Sequence, residues 1–285
     1  MRAEVVAMTG ECLNHEALKR AGEILKNGGL VAFPTETVYG LGGDALNPQA
    51  SKKIYAAKGR PSDNPLIVHI ADMEHLERIT ESIPEAAYTL AQHFWPGPLT
   101  MILPKSEEVP LQTTGGLHTV AVRMPSHPVA MAFIEAAGGY IAAPSANLSG
   151  KPSPTLAKFV AEDMDGRIDM IIDGDGIEIG LESTIVDLTG EKPMILRPGY
   201  ITREMLKDVL GEVEVDRTIL SADSKEPPKA PGMKYRHYAP KGDLTIVQGS
   251  PEDVTAYIND KTAQAQRAGA KVGIIGTEEN LSAYH

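Results

Sequence analysis

The chain has 285 residues, 42% hydrophobic and 23% charged, which is enough to bury one large core or two and lies within the ordinary globular range. Its 27 basic residues against 38 acidic ones leave a formal net charge of -11, which excludes a surface that is a nucleic-acid footprint throughout but leaves room for a local basic cleft. A lone Cys12 excludes an intramolecular disulfide framework and a thiolate metal site. The opening MRAEVVAMTGECLNHE lacks the apolar run of a secretory leader, and no segment approaches the roughly 18 apolar residues of a membrane span, so a cytoplasmic protein is expected.

Asn14 is placed to cap a helix over HEALKRAGEILKN, in which Ala17, Ala21, Ile24 and Leu25 recur at helical spacing before Gly28-Gly29 stops it. The strand LVAF follows. Pro48 opens a second helix through QASKKIYAAK, which leads by way of Gly59 into the apolar strand PLIVHI. Further strands are predicted at 99–103, 119–123, 140–143, 169–173, 183–188 and 193–197. Helices are predicted at 86–94, at 127–137 behind Ser126 and Pro128, and at 155–163. Several strands are joined by turns too short for a helix, so part of the sheet is expected to be antiparallel or mixed.

From about residue 212 the apolar periodicity stops, and SADSKEPPKAPGMKYRHYAPKG reads as a linker. Beyond it LTIVQG, a helix over 251–268 and KVGIIGT suggest a strand, helix, strand unit too small to stand alone.

Four stretches invite chemistry. Gly40-Leu41-Gly42-Gly43-Asp44-Ala45 formally matches the dinucleotide fingerprint, but Pro34 through Tyr39 separate it from the strand before it and the next helix waits until Pro48, so a turn-forming role is expected. FPTETVYG crowds Thr35, Glu36, Thr37 and Tyr39 at a strand end, either as a ligand site or as a turn satisfying its own backbone. In AAKGRPSDNP, Lys58 and Arg60 flank Gly59 on a loop stiffened by Pro61 and Pro65. A guanidinium fork beside a compact ammonium suits phosphate, although a charge pair can also simply complement a helix end. AAPSANLSGKPSP carries Ser145, Asn147, Ser149 and Ser153 among prolines, side chains able to hold oxygens by hydrogen bonds. The histidines lack metal-ligand spacing, and no metal cage is expected.

Taken together, PTETVYGLG, AKGRPSDNPLIVH, WPGPLT, TVAVRMP, IAAPSANLSGKPSPT, ESTIVDL, ILRPG and PGMKYRHYAP, in order across residues 15–240, resemble the YrdC-like threonylcarbamoyl-AMP synthase family in its long form. The resemblance implies an α/β fold, a twisted mixed sheet with flanking helices around a deep, positively charged cleft. It also implies a catalytic domain over 1–211, a linker or lid over 212–241, and a Rossmann-like domain over 242–285 that is incomplete, since long members continue further. The implied activity is nucleotidyl transfer: L-threonine, bicarbonate or CO2, and ATP with Mg2+ give threonylcarbamoyl-AMP and pyrophosphate. The product would feed a transfer machinery that modifies tRNA beside the anticodon.

The family's Lys-x-Arg and Ser-x-Asn tetrad corresponds to Lys58, Arg60, Ser145 and Asn147, with Lys58 and Arg60 expected to be catalytic. Thr37, His69, Arg123 and Ser183, with Ala143 close by, would line the threonine pocket. ATP would meet Arg60, Asn64, Thr119, Ser145, Asn147, Ser153 and Arg197, and Tyr235 in the linker would close over it. Glu36 and His69 both stand as candidates for a general base. The alternative class is an RNA-binding module using the same cleft without chemistry; a carbamoyl-transfer module is a third, which would have no need of the threonine pocket.

Overall fold

The structure is a computed structural model in which residues 2–174, 176–216 and 242–285 are described. The chain divides into two compact units, Met1–Ala239 and Pro240–His285.

In the first unit eleven strands form one mixed sheet. In chain order they are β1 (Glu4–Ala7), β2 (Val31–Phe33), β3 (Gly40–Asp44), β4 (Ile67–His69), β5 (Leu99–Pro104), β6 (Thr119–Arg123), β7 (Ile141–Ala143), β8 (Met170–Asp173), β9 (Thr184–Asp187), β10 (Met194–Arg197) and β11 (Glu214–Val215). Their order across the sheet is β1-β8-β2-β3-β7-β4-β6-β5-β9-β10-β11. Among the central β3, β7, β4, β6 and β5 every pairing is antiparallel except the parallel β4–β6, a mixed sheet as the short connections required. Among the described residues seven helices accompany them: α1 (His15–Lys26), α2 (Pro48–Lys58), α3 (Glu74–Ile79), α4 (Glu85–Phe94), α5 (Pro128–Ala137), α6 (Ala157–Met164) and α7 (Arg203–Leu210).

Capping chemistry decides where the helices start. Asn14 Oδ1 accepts from Ala17 N at 3.0 Å, and Asn47 Oδ1 accepts from Gln49 N at 2.9 Å just ahead of Pro48. The α5 cap is His127, whose Nδ1 accepts from Val129 N, rather than the expected Ser126. At the other end of α2, Gly59 takes φ +60, the left-handed conformation a side chain resists.

The glycines of 40–45 are strand, not turn. They form β3 in the middle of the sheet, and their smallness serves packing: a Cβ on Gly42 would stand 2.9 Å from Ile141 Cγ2. Period-2 patterning could not reveal a strand whose residues have no side chains to alternate. β1, α3, α7 and β11 were also missed, being short or half-exposed.

The two faces of the sheet are covered unequally, and this makes the cleft. One face is packed throughout by a large core including Ile54, Leu76, Leu90, Val160 and Leu206 from α2, α3, α4, α6 and α7. The opposite face is covered by α1 and α5 only over β8, β2 and β7, where Val31, Phe33, Ile141 and Met170 meet Leu18, Leu25 and Phe133. Next to that cover, β4, β6, β5, β9 and β10 contribute only a small floor of Ile67, Ala121, Ile102, Ile185 and Leu196.

In the second unit α8 (Pro251–Arg267) forms as expected, with Ser250 Oγ accepting from Asp253 N at 3.2 Å. The strands expected at LTIVQG and KVGIIGT do not form among the described residues. Neither segment is paired in a sheet among the described residues, and Leu244, Ile246 and Ile275 are 74%, 78% and 92% exposed. Apolar composition predicted strands, but a strand exists only where a partner supplies the ladder. Among the described residues no helix is long and apolar enough to cross a membrane.

Candidate active site

Adjacent parallel strands place the first two polar groups. β4 and β6 end in register at His69 and Arg123, both on the sparsely covered face and both buried. The loop that follows β2 rises over them. Thr35 Oγ1 donates to Val38 O at 2.7 Å and accepts from the amides of Thr37 and Val38, tying the loop into a tight turn. The two readings of FPTETVYG therefore both hold: Thr35 satisfies its own backbone, while Thr37 accepts from Arg123 Nη1 at 2.9 Å. Glu36 faces the same guanidinium, its Oε1 2.6 Å from Nη2. That contact lies off the hydrogen-bond line, so both carboxylate oxygens and Arg123 Nε remain without a hydrogen bond.

A second wall comes from the strap after β7. Leu41 N donates to Pro144 O and Ala146 N to Tyr39 O, each at 2.8 Å, which lays Pro144–Ala146 along the end of β3. Lys58 pins this strap from behind: its Nζ donates to the carbonyls of Ser145 and, at 2.5 Å, Asn147. Asn147 Nδ2 holds the next turn through the carbonyls of Leu148 and Lys151, both at 2.8 Å. The third wall is built around Ser183. Arg197 donates through Nε to Ser183 O at 3.0 Å and through Nη2 to Ser183 Oγ at 3.1 Å, while Ser183 Oγ and Thr100 Oγ1 are 2.7 Å apart. Arg60 is steadied by the carbonyls of Asn64 and Pro65.

These walls frame a narrow cleft with about 50 Å³ of internal space, lined by Thr35, Thr37, Val38, Gly40, Arg60, Ile67, His69, Arg123, Ala143, Pro144, Ser145, Glu182, Ser183 and Arg197. Of the residues expected from sequence, Thr37, Arg60, His69, Arg123, Ala143, Ser145, Ser183 and Arg197 are brought together there. Lys58, Asn64, Asn147 and Ser153 stand outside the lining: Lys58 and Asn147 hold the strap, Asn64 holds Arg60, and the Ser153 hydroxyl donates to Glu182 Oε1. Lys58 is 3% exposed, and its Nζ faces the carbonyls of the strap rather than the cleft. Thr119 begins β6, four residues from Arg123 and so about 13 Å along the strand. Tyr235 and residues 217–241 of the expected linker lie outside the described residues. Glu182 and Pro144 escaped the sequence reading, because neither type nor spacing marks them apart from their neighbours.

Burial sets the protonation of two groups. His69 is pushed down to about 3, first by desolvation and then by Arg123. It is therefore a neutral imidazole with its Nδ1 3.2 Å from Ile67 O, and too weakly basic to hold a proton near neutrality. Lys58 is lowered well below the usual amine range, again by burial first and Arg60 second. For His69 the unfolded chain binds the proton more readily than the folded one, so the stability it confers is present above about pH 6.5 and lost as pH falls toward 3. His69→Gln is expected to flatten that loss by about 3 kcal/mol, read from urea unfolding at pH 7 and pH 4. An unchanged pH slope would contradict it.

The fold and the cleft define an α/β protein whose sheet carries a narrow, guanidinium-lined cleft on its sparsely covered face. The chain belongs to the Sua5/YciO/YrdC family: the family model described as "Telomere recombination" matches residues 23–199, and one described as "Threonylcarbamoyl-AMP synthase, C-terminal domain" matches residues 201–284. It is 50% identical over 273 residues to the threonylcarbamoyl-AMP synthase of Pyrococcus abyssi, covering 96% of this chain and 80% of that protein. With the Bacillus subtilis enzyme of the same name it is 52% identical over 272 residues, covering 95% and 77%. The crystal structure of P. abyssi Sua5 complexed with L-threonine superposes with a TM-score of 0.92 at 50% identity, over 96% of this chain and 80% of that one. E. coli YciO superposes at 0.64 and 25% identity, over 70% and 96%.

Proposed function

We propose that the protein is a threonylcarbamoyl-AMP synthase, a nucleotidyltransferase that joins L-threonine, CO2 or bicarbonate, and ATP, with release of pyrophosphate. The observation that carries this reading is the gathering of Arg60, Arg123 and Arg197 in one cleft of a chain whose net charge is -11. Its supports are the family membership and the naming of two relatives at about half identity. The relative whose structure holds L-threonine adds to them.

In this reading the threonine carboxylate meets the Arg123 guanidinium, which lines the cleft while held by Thr37 and Glu36. The amine captures CO2 in its neutral form, which gives the carbamate and releases one proton. The carbamate oxygen then attacks the α-phosphorus of ATP, and the bond to pyrophosphate breaks. Both reactants are anions, and guanidiniums fixed by backbone carbonyls and by Ser183 stabilise the developing charge without reorganising.

His69 is excluded as a base by its low basicity, and its role is to shape the pocket as a neutral ring edge-on to Phe33 at 6.0 Å. Magnesium enters with the nucleotide as its phosphate complex. No group of three or more His, Cys, Asp or Glu side chains stands together among the described residues, and no step is routed through a protein-held ion.

The cleft lining runs from Thr35 to Arg197, within the catalytic domain expected over 1–211; β11 pairs with β10, so in this reading the linker begins after that strand rather than at 212. A cytoplasmic site of action and hand-over of the product to a tRNA-modifying transferase belong to the same proposal. The RNA-binding alternative gains no support, because Arg60 and Arg123 are 8% and 4% exposed and cannot track a backbone.

Pyrophosphate release from ATP, bicarbonate and Mg2+ should depend on L-threonine and fall at least about tenfold with L-serine, which leaves the floor beside Ile67 unfilled. Release that ignores the amino acid would refute the proposal.

A further inference from the structure

The charges in the cleft lining do not match its substrates unless one more residue takes part. Threonine brings a carboxylate and an ammonium, and ATP brings a chain of phosphates. Three guanidiniums answer the anions. Among the described residues the lining holds a single carboxylate, that of Glu182, and a carboxylate in an anion site is unfavourable unless it has a cation of its own to meet. Glu36 cannot serve, because it stands against Arg123 at 2.6 Å and outside the lining. His69 cannot serve either, since a neutral imidazole offers a substrate cation no countercharge.

The position of Glu182 fits the task. Its Oε1 accepts from Ser153 Oγ, a residue assigned to the nucleotide side. The next residue, Ser183, is held by Arg197 and Thr100 on the amino-acid side. The carboxylate therefore stands where the two subsites join, which is where the substrate nitrogen must be when its carbamate turns toward the α-phosphorus. Tying down one oxygen fixes the rotamer and leaves the other oxygen to accept.

Resting on the function proposed above, we propose that Glu182 is the residue that seats the substrate's amino group, selecting an α-amino acid over its hydroxy analogue and orienting the nitrogen toward the nucleotide. Ser153 acts through it as a positioning residue.

The test compares L-threonine with its amine-free counterpart, 2,3-dihydroxybutanoate of matching stereochemistry, by calorimetry in the presence of a non-hydrolysable ATP analogue. The unaltered protein is expected to prefer threonine by about 10- to 100-fold, the worth of a charge-assisted hydrogen bond. Glu182→Gln should bring the ratio to within about threefold by weakening threonine alone, and Glu182→Asp should retain an intermediate ratio. Ser153→Ala should weaken the nucleotide more than it changes the ratio. If Glu182→Gln unfolds, Glu182→Asp carries the comparison, and a ratio equal to that of the unaltered protein overturns the assignment.

A Glu182→Gln protein that keeps the threonine preference also overturns it, as does one whose discrimination between ATP and dATP changes instead, which would place Glu182 on the ribose. If the unaltered protein neither binds threonine nor releases pyrophosphate in its presence, the functional reading falls and this assignment with it. If it does both and the variant's ratio is unmoved, this assignment falls alone.

Discussion

Arg60→Ala is expected to lower threonine-dependent pyrophosphate release by about two decades, the worth of roughly 3 kcal/mol of preorganised charge stabilisation. Arg60 lines the cleft and is held by the carbonyls of Asn64 and Pro65, so its guanidinium is in place before substrate arrives. Because that charge acts on the reacting phosphates, the loss should appear mainly in kcat, with a smaller rise in the KM for ATP. Arg60→Lys keeps the charge but not the fork and should recover only part of the rate. A drop of less than about threefold in Arg60→Ala, with the fold intact by circular dichroism, would remove Arg60 from the chemistry.

Lys58→Met is expected to reduce stability by about 3 kcal/mol and to abolish most activity by a different route. The ammonium is buried and donates to the carbonyls of Ser145 and Asn147; an apolar replacement leaves both carbonyls without their donor and frees the strap that presents Ser145 to the cleft. The sign of the pH dependence separates this role from simple charge. Burial lowers the folded amine below its unfolded value, so between those two values the unfolded chain binds more protons and stability rises with pH. The gap between the Lys58 protein and its Met variant should therefore widen in favour of lysine as pH is raised through the interval between the folded and unfolded values, up to about 10. A constant gap in urea midpoints across that range would refute the assignment of a depressed amine.

Strong local signals made much of the fold legible. Asn14 and Pro48 mark helix starts, Gly59 marks a helix end, and the β-rich runs at 99–103 and 119–123 became β5 and β6. Order across the sheet was not legible, because pairing joins residues far apart in the chain: β7 stands between β3 and β4, and β5 between β6 and β9. Gly40–Asp44 misled, since the same glycines that suggest a turn also let a strand lie close against Phe33 and Ile141. In the second unit, apolar composition suggested strands that do not form among the described residues.

For the site, the motifs in their order determined the family and named most of the polar groups that line the cleft. Residue type could not say which way each side chain points. Lys58 and Arg60 are two residues apart and both cationic, yet one faces backbone carbonyls behind the strap and the other faces the cleft. Glu36 and Glu182 are both carboxylates near arginines, yet only Glu182 reaches the open space. What the sequence by itself determined were the local preferences of the backbone and the inventory of charges. Only the tertiary structure decided which charges are desolvated and which meet a ligand, because burial and direction arise from contacts between segments that local sequence does not bring together.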